Sequence, residues 1–239
     1  MKPLTTLFED NFLRISMADG FGDPDLVTLS ISSSPRIGEK VAKEEFFGTI
    51  TATSGKAIFI IDKTSSFGNR LDWDLIQTML TPHLEGKTIR AVGFCLGGFL
   101  AVVLSKYFKI DAVIAITPQY GVSPDYFIRN ENDPNPDRFN WFTDLYTDKI
   151  DVFHIPDLNG YFQDRTRYYV LHGCFDFDLM QMKYFPVQDN IVVFDFGEDY
   201  SHGLPGDLGL DLPTIINACA EHKPEVVFDY IKKHYEDKK

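Results

Sequence analysis

The chain has 239 residues, 44 % of them hydrophobic and 24 % charged, which suits a single globular domain with a sizeable core. Its 23 Lys and Arg against 35 Asp and Glu leave a net charge of −12. A surface of that sign repels phosphate backbones and anionic lipid, so nucleic-acid and membrane partners are disfavoured. The first ten residues, Met1 to Asp10, lack the apolar run of a secretory signal, and no stretch reaches the ~18 apolar residues of a spanning helix. Cys95, Cys174 and Cys219 are an odd, sparse set without metal-ligand spacing. They fit a reduced protein of the cytoplasm with no disulfide and no metal.

In chain order, short runs of branched apolar residues predict strands over 26–31, 57–61, 89–94, 111–116, 167–171 and 191–196. Several are apolar almost throughout, as in strands covered on both faces. Helical periodicity fills the gaps. Leu75, Ile76, Met79 and Leu80 share a face after Asp72 and Asp74, and Leu96, Leu100, Val103, Leu104 and Tyr107 repeat at four and three residues. Pro213 and Pro224 stand where first helical turns begin, and Val226, Val227, Tyr230 and Ile231 form a stripe after the second. This alternation predicts a mostly parallel central sheet flanked by helices, one domain spanning 1–239. Residues 118–164 break the rhythm: they are rich in Pro, Asp, Asn and aromatics, among them Tyr120 and Trp141. A structureless loop of that length is improbable in a compact domain, so the segment reads as a cap inserted over one end of the sheet. Two ordinary connecting helices with aromatic packing are the alternative.

At Gly93-Phe94-Cys95-Leu96-Gly97-Gly98 an apolar strand runs into an apolar-periodic helix with no loop between. So sharp a turn strains the residue at its apex and demands small neighbours two positions before and after, which these glycines supply. The arrangement is a nucleophile elbow, with cysteine where serine is commoner. Helix-terminal N–H groups favour a thiolate, and the N–H of Leu96 is aimed to hold a developing oxyanion. The competing reading is a small apolar residue in a tight turn.

A thiol nucleophile needs a base, and the base needs a carboxylate. The predicted strand 167–171 ends in His172-Gly173-Cys174-Phe175-Asp176-Phe177-Asp178, which offers Asp176 as the favoured acid on the following loop and Asp178 as the alternative. After strand 191–196 comes Ser201-His202-Gly203, which offers His202 as base at the same edge. His172 reads as a packing residue. The second oxyanion N–H is expected from the loop after strand 57–61, at Lys63 or Thr64.

These residues resemble the α/β-hydrolase superfamily. Gly93-Phe94-Cys95-Leu96-Gly97-Gly98 is similar to the elbow of the dienelactone hydrolases, whose nucleophile is also cysteine. Gly173-Cys174-Phe175-Asp176 resembles the acid turn of that superfamily, and Ser201-His202-Gly203 its histidine turn. The amino-terminal part and the 118–164 insertion do not resemble dienelactone hydrolase, so a lactone substrate is not implied. The run from Phe59 to Asn69, with Ile116-Thr117-Pro118-Gln119, is more loosely similar to bacterial α/β-hydrolase-like proteins of surface-polysaccharide assembly.

Three functions follow as expectations. The first is hydrolysis of an ester, thioester or lactone through a Cys-His-Asp triad and a thioester intermediate, with no cofactor. The second is acyl transfer to a saccharide, with acetyl-CoA as donor and the insertion's Tyr120 and Trp141 as platforms for a sugar ring. The third is a non-catalytic binding or assembly protein on a hydrolase scaffold.

Overall fold

The protein is described here by a computed structural model, which covers residues 3–35, 42–123, 126 and 150–236. Most of the central part of the predicted cap (124–125 and 127–149, with Trp141) lies outside the described residues.

Eight strands form one sheet: β1 (Thr5–Glu9), β2 (Leu13–Asp19), β3 (Asp23–Ile31), β4 (Ser54–Asp62), β5 (Thr88–Phe94), β6 (Ala112–Ile116), β7 (Arg167–His172) and β8 (Ile191–Asp195). Their spatial order is β1-β2-β4-β3-β5-β6-β7-β8. β1 pairs antiparallel with β2 and β2 antiparallel with β4, while every later pairing is parallel. The helices of the described residues are α1 (Phe47–Thr53), α2 (Trp73–Leu84), α3 (Leu96–Tyr107), α4 (Asp176–Met182), α5 (Leu204–Leu208), α6 (Leu212–Ala220) and α7 (Pro224–Glu236). None is long and apolar enough to cross a membrane.

Strand alternation sends successive side chains to opposite faces, and each face finds its own helices. In β4, Ile58 and Ile60 join a core with Ile76 and Leu80 of α2 and Phe99, Leu100 and Val103 of α3. Ala57 and Phe59 of the same strand face a second core with Ile50 of α1, Ile215 and Ile216 of α6 and Val227 of α7. That double coverage is why β3 to β7 read as unbroken apolar runs. The antiparallel β1 and β2 escape that pattern, because β1 at the sheet edge is exposed to half-buried along its whole length.

The strand order places the site. After β3 the chain turns through α1 to β4 on one side, and after β5 it turns through α3 to β6 on the other. The two connections diverge and leave a crevice at the carboxyl ends of β3 and β5, where sheets of this kind hold ligands. Register pairs Ile31 with Gly93, so the crevice opens between Ser32 and Phe94.

The turn at the end of β5 is strained as predicted. Cys95 has φ 54° and ψ −118°, between the last strand residue Phe94 and the first helical residue Leu96. A Cβ on Gly93 would meet the Gly97 carbonyl oxygen at 2.1 Å, and one on Gly97 would meet the Ile31 carbonyl oxygen at 2.1 Å. Both obstacles are buried backbone, in the first turn of α3 and at the end of β3, so neither can yield cheaply. Gly97→Ala is expected to destabilise the protein by about 3 kcal/mol or more, read as a fall in the urea midpoint without a change in slope.

Candidate active site

Cys95 lies at the apex of the elbow with 9 % of its surface exposed. Its amide donates to the Ile116 carbonyl of β6 at 2.9 Å, and its carbonyl accepts from Phe99 N–H at 3.1 Å, which pins the strained conformation from both sides. Leu96 supplies the first amide of α3, which has no carbonyl a turn behind it within the helix. The thiol itself meets the side chain of Gln119, whose Nε2 lies 3.5 Å and Oε1 3.6 Å from Sγ.

His202 follows β8 on the turn that the sequence predicts. Ser201 fixes this turn, its N–H and hydroxyl both donating to Asp207 Oδ2 at 2.8 Å, while Thr117 Oγ1 donates to the His202 carbonyl at 3.3 Å. The turn carrying the acid lies directly on it: Cys174 N–H donates to the Tyr200 carbonyl at 2.9 Å, and a Cβ on Gly173 would stand 2.1 Å from that same oxygen. This close approach is the physical reason for the glycine in Gly173-Cys174-Phe175-Asp176.

The acid on the imidazole is Asp178, the alternative from the sequence, and not the favoured Asp176. His202 Nδ1 lies 2.8 Å from Asp178 Oδ1 and 3.0 Å from Oδ2. The sequence predicts a loop at Asp176, whereas Asp176 opens the helix α4. Residues two apart on a helix face opposite ways, so only one of the two carboxylates can point inward. Asp178 is fully buried among Phe177 and Gln181, and Asp176 lies on the exposed face.

A second correction concerns the oxyanion donors. Lys63 N–H donates to the Phe12 carbonyl at 2.8 Å, and the Lys63 ammonium reaches Glu9 at 2.9 Å. Thr64 N–H donates to Asp62 Oδ1 at 3.1 Å. Neither amide is available, and their loop follows β4, which β3 separates from β5. The loop instead folds around the buried Asp62 carboxylate, which also accepts from Thr64 Oγ1, Ser66 N–H, Ser66 Oγ and Gly68 N–H. It then holds the returning end of the insertion: Ile155 N–H donates to Asn69 Oδ1 at 2.7 Å, and Arg70 pairs with Asp151 at 3.0 Å. The segment beside the elbow is the one after β3, where Ser33 N–H donates to Glu45 at 3.0 Å and the Ser34 hydroxyl is buried without a hydrogen-bond partner. The sequence signal for it is the serine run Ser32 to Ser34 at the end of an apolar strand.

The ends of the insertion close on each other next to this site. Gly121 bridges Asp157, and Leu158 N–H donates to the Tyr120 carbonyl at 2.9 Å. Tyr120 is buried among Tyr126, Tyr184 and Phe185, with ring centroids 5.4–5.9 Å away. Phe94 and Phe175 flank the His202 ring at 5.3 and 5.7 Å. All three cysteines are free thiols, and Cys174 Sγ donates to the Glu198 carbonyl at 3.3 Å. A separate concavity of about 560 Å³, with Asp19, Lys56, His83 and Lys87 in its wall, lies at the amino ends of β3 and β4, the edge opposite Cys95.

Strand order, elbow and flanking helices define the α/β-hydrolase fold. The family model of the dienelactone hydrolase family matches residues 57–135, from β4 through the elbow and β6. Among solved structures, an α/β serine hydrolase homologue from Coxiella burnetii superposes with a TM-score of 0.55 at 11 % identity, over 90 % of this chain and 96 % of that one. The capsule O-acetyltransferase of Neisseria meningitidis serogroup A gives 0.55 at 15 % identity, over 94 % and 93 %. The Pyrococcus furiosus esterase Pf2001 gives 0.55 at 12 % identity, over 92 % and 93 %. No curated protein matches the sequence.

Electrostatically the site is set by His202. Burial opposes its charge, but hydrogen bonds with Asp178 and Cys95 and their negative charge override that and push its pKa up to about 10. The folded value exceeds the unfolded one of about 6.5, so this stabilisation is full below pH 6.5 and is lost as pH rises toward 10. Asp178→Asn should cost about 1–3 kcal/mol at pH 6, with the gap to wild type narrowing steadily by pH 10 in urea melts. An imidazole NMR titration should find His202 still protonated at pH 8.

Proposed function

We propose that the protein is an acyl-transfer enzyme that hydrolyses an ester, thioester or lactone, with Cys95 as nucleophile, His202 as proton carrier and Asp178 as its orienting acid. The observation that carries this reading is the buried Asp178–His202 pair set against a strained cysteine at the strand switch. Asp178 on Nδ1 fixes the tautomer that leaves Nε2 for the sulfur and the leaving group.

The chemistry follows from those positions. An imidazolium beside the sulfur favours the thiolate, which attacks the carbonyl carbon and drives the π electrons onto oxygen. The oxyanion is held by Leu96 N–H and by a donor from the segment after β3. When it collapses, the C–O or C–S bond of the substrate breaks and the leaving group takes the proton from His202. Neutral His202 then removes a proton from water, the hydroxide attacks the thioester, and the thiolate leaves as the acid forms. No metal or organic cofactor enters any step. A reducing compartment, the cytoplasm, suits a free-thiol nucleophile.

Acyl transfer to a saccharide hydroxyl is the second reading. It is favoured by the exposed Tyr184 and the half-buried Tyr126 where the insertion leaves the sheet, since tyrosine presents an apolar ring with a polar tip, while Tyr120 is buried beneath them. The same His202 would deprotonate the sugar instead of water, with acetyl-CoA as acyl donor. The fold likeness to a capsule O-acetyltransferase is in keeping with it.

With p-nitrophenyl acetate or acetyl-CoA as donor, Cys95→Ala and His202→Asn should each lower kcat/KM by about 10³-fold or more, and Asp178→Asn by about 10²–10⁴-fold. Asp176→Asn should stay within about threefold of wild type. A quenched reaction should yield the chain one acetyl group heavier, on the Cys95 peptide. Thiol release from acetyl-CoA that rises with added oligosaccharide selects transfer over hydrolysis. Turnover equal to wild type in Cys95→Ala would show a reaction that Cys95 does not carry and would overturn this reading; no turnover in wild type with any donor would leave a scaffold without this chemistry.

A further inference from the structure

The Cys95 sulfur has a second neighbour that the triad does not use. Gln119, the third residue after β6, is 1 % exposed and brings its carboxamide against Sγ, Nε2 at 3.5 Å and Oε1 at 3.6 Å. A buried amide in contact with sulfur and shielded from water has to satisfy its hydrogen bonds there. Which atom bonds depends on the sulfur: a thiol donates to Oε1, whereas a thiolate accepts from Nε2.

The position of Gln119 is not left to the loop. The backbone that follows it is clamped by Gln181, whose Oε1 accepts from Tyr120 N–H at 2.8 Å and Gly121 N–H at 2.9 Å. Gln181 and Asp178 stand three residues apart on one face of α4, both 0 % exposed. One short helix therefore fixes both groups that reach the sulfur, His202 through Asp178 and Gln119 through Gln181.

We propose that Gln119 is a second hydrogen-bond donor to the Cys95 thiolate, holding it from the loop after β6 and keeping it reactive while the site is empty. This rests on the reading of Cys95 as nucleophile. Among the described titratable groups, His202 faces the sulfur from the loop after β8, with Asp178 of α4 behind it; from the loop after β6 the facing group is the uncharged Gln119. Losing a donor to a charged acceptor should slow thiolate chemistry by about tenfold.

The test is alkylation of Cys95 by iodoacetamide, followed by peptide mass in a Cys174→Ser background. Cys219 stays silent, since burial pushes its thiol up to about 12. At pH 7, Gln119→Leu and Gln119→Glu should each react about tenfold more slowly than the parent, with melting temperatures reported alongside. The near-isosteric Gln119→Glu removes the donor but keeps the shape, and its deficit should shrink from pH 7 to pH 5 as the new carboxyl gains a proton to donate. A Gln119→Glu rate equal to the parent at pH 7, or a deficit that does not change with pH, overturns the proposal. His202→Asn in the same assay separates the two readings: slowing there but not at Gln119 removes only the role of Gln119. Slowing at neither removes the nucleophile as well.

Discussion

Two backbones touch at the centre of this molecule. The end of β3 and the first turn of α3 approach so closely that Gly97 has room for no side chain, and Gly93 faces the same helix turn. The contact forces the chain to reverse within one residue, and that residue is Cys95 with a positive φ. Because the strand order also switches between β3 and β5, the reversal occurs where the connections on either side diverge. Strain, helix terminus and open crevice thus coincide at one sulfur, and the other residues of the site are those that later strands deliver to the same edge.

What was legible in the sequence followed from burial. β3 to β8 announce themselves because most are covered on both faces, and the elbow because its glycines admit no alternative to close packing. The antiparallel pair β1 and β2 was silent: the exposed face of β1 leaves no apolar run to read. The acid was misjudged for a related reason. Gly173-Cys174-Phe175-Asp176-Phe177-Asp178 is too short to display a helical period, so the phase that turns Asp178 inward and Asp176 outward emerges only once α4 is seen as a helix. The oxyanion loop was misplaced because sequence order suggests that β4 neighbours β5, whereas the crossover puts β3 between them. Pairing order is a long-range property, and local patterns do not carry it.

The polar groups around the sulfur form a connected set and not a collection of separate pairs. Asp178 orients His202, Gln181 fixes the backbone beyond Gln119, and both come from α4. The turn bearing α4 is packed through Gly173 onto the turn bearing His202. A shift of α4 would therefore move acid, base and amide together, which argues that the site is preorganised by the scaffold.

Cysteine at the apex is matched to this electrostatic setting. The pKa of His202 is pushed up to about 10, and hydrogen bonding and charge from Cys95 itself act beside those of Asp178. A serine, whose hydroxyl holds no negative charge near neutral pH, would not supply the Cys95 share of that shift. On the proposed reading of Cys95 as nucleophile, thiolate and imidazolium stabilise each other beside the buried Asp178, and the imidazolium is the acid that a departing alkoxide or thiolate needs. The His202–Asp178 pair would orient a base for a serine as well as for a cysteine, so what is particular to the thiol is the share of the His202 shift that Cys95 contributes.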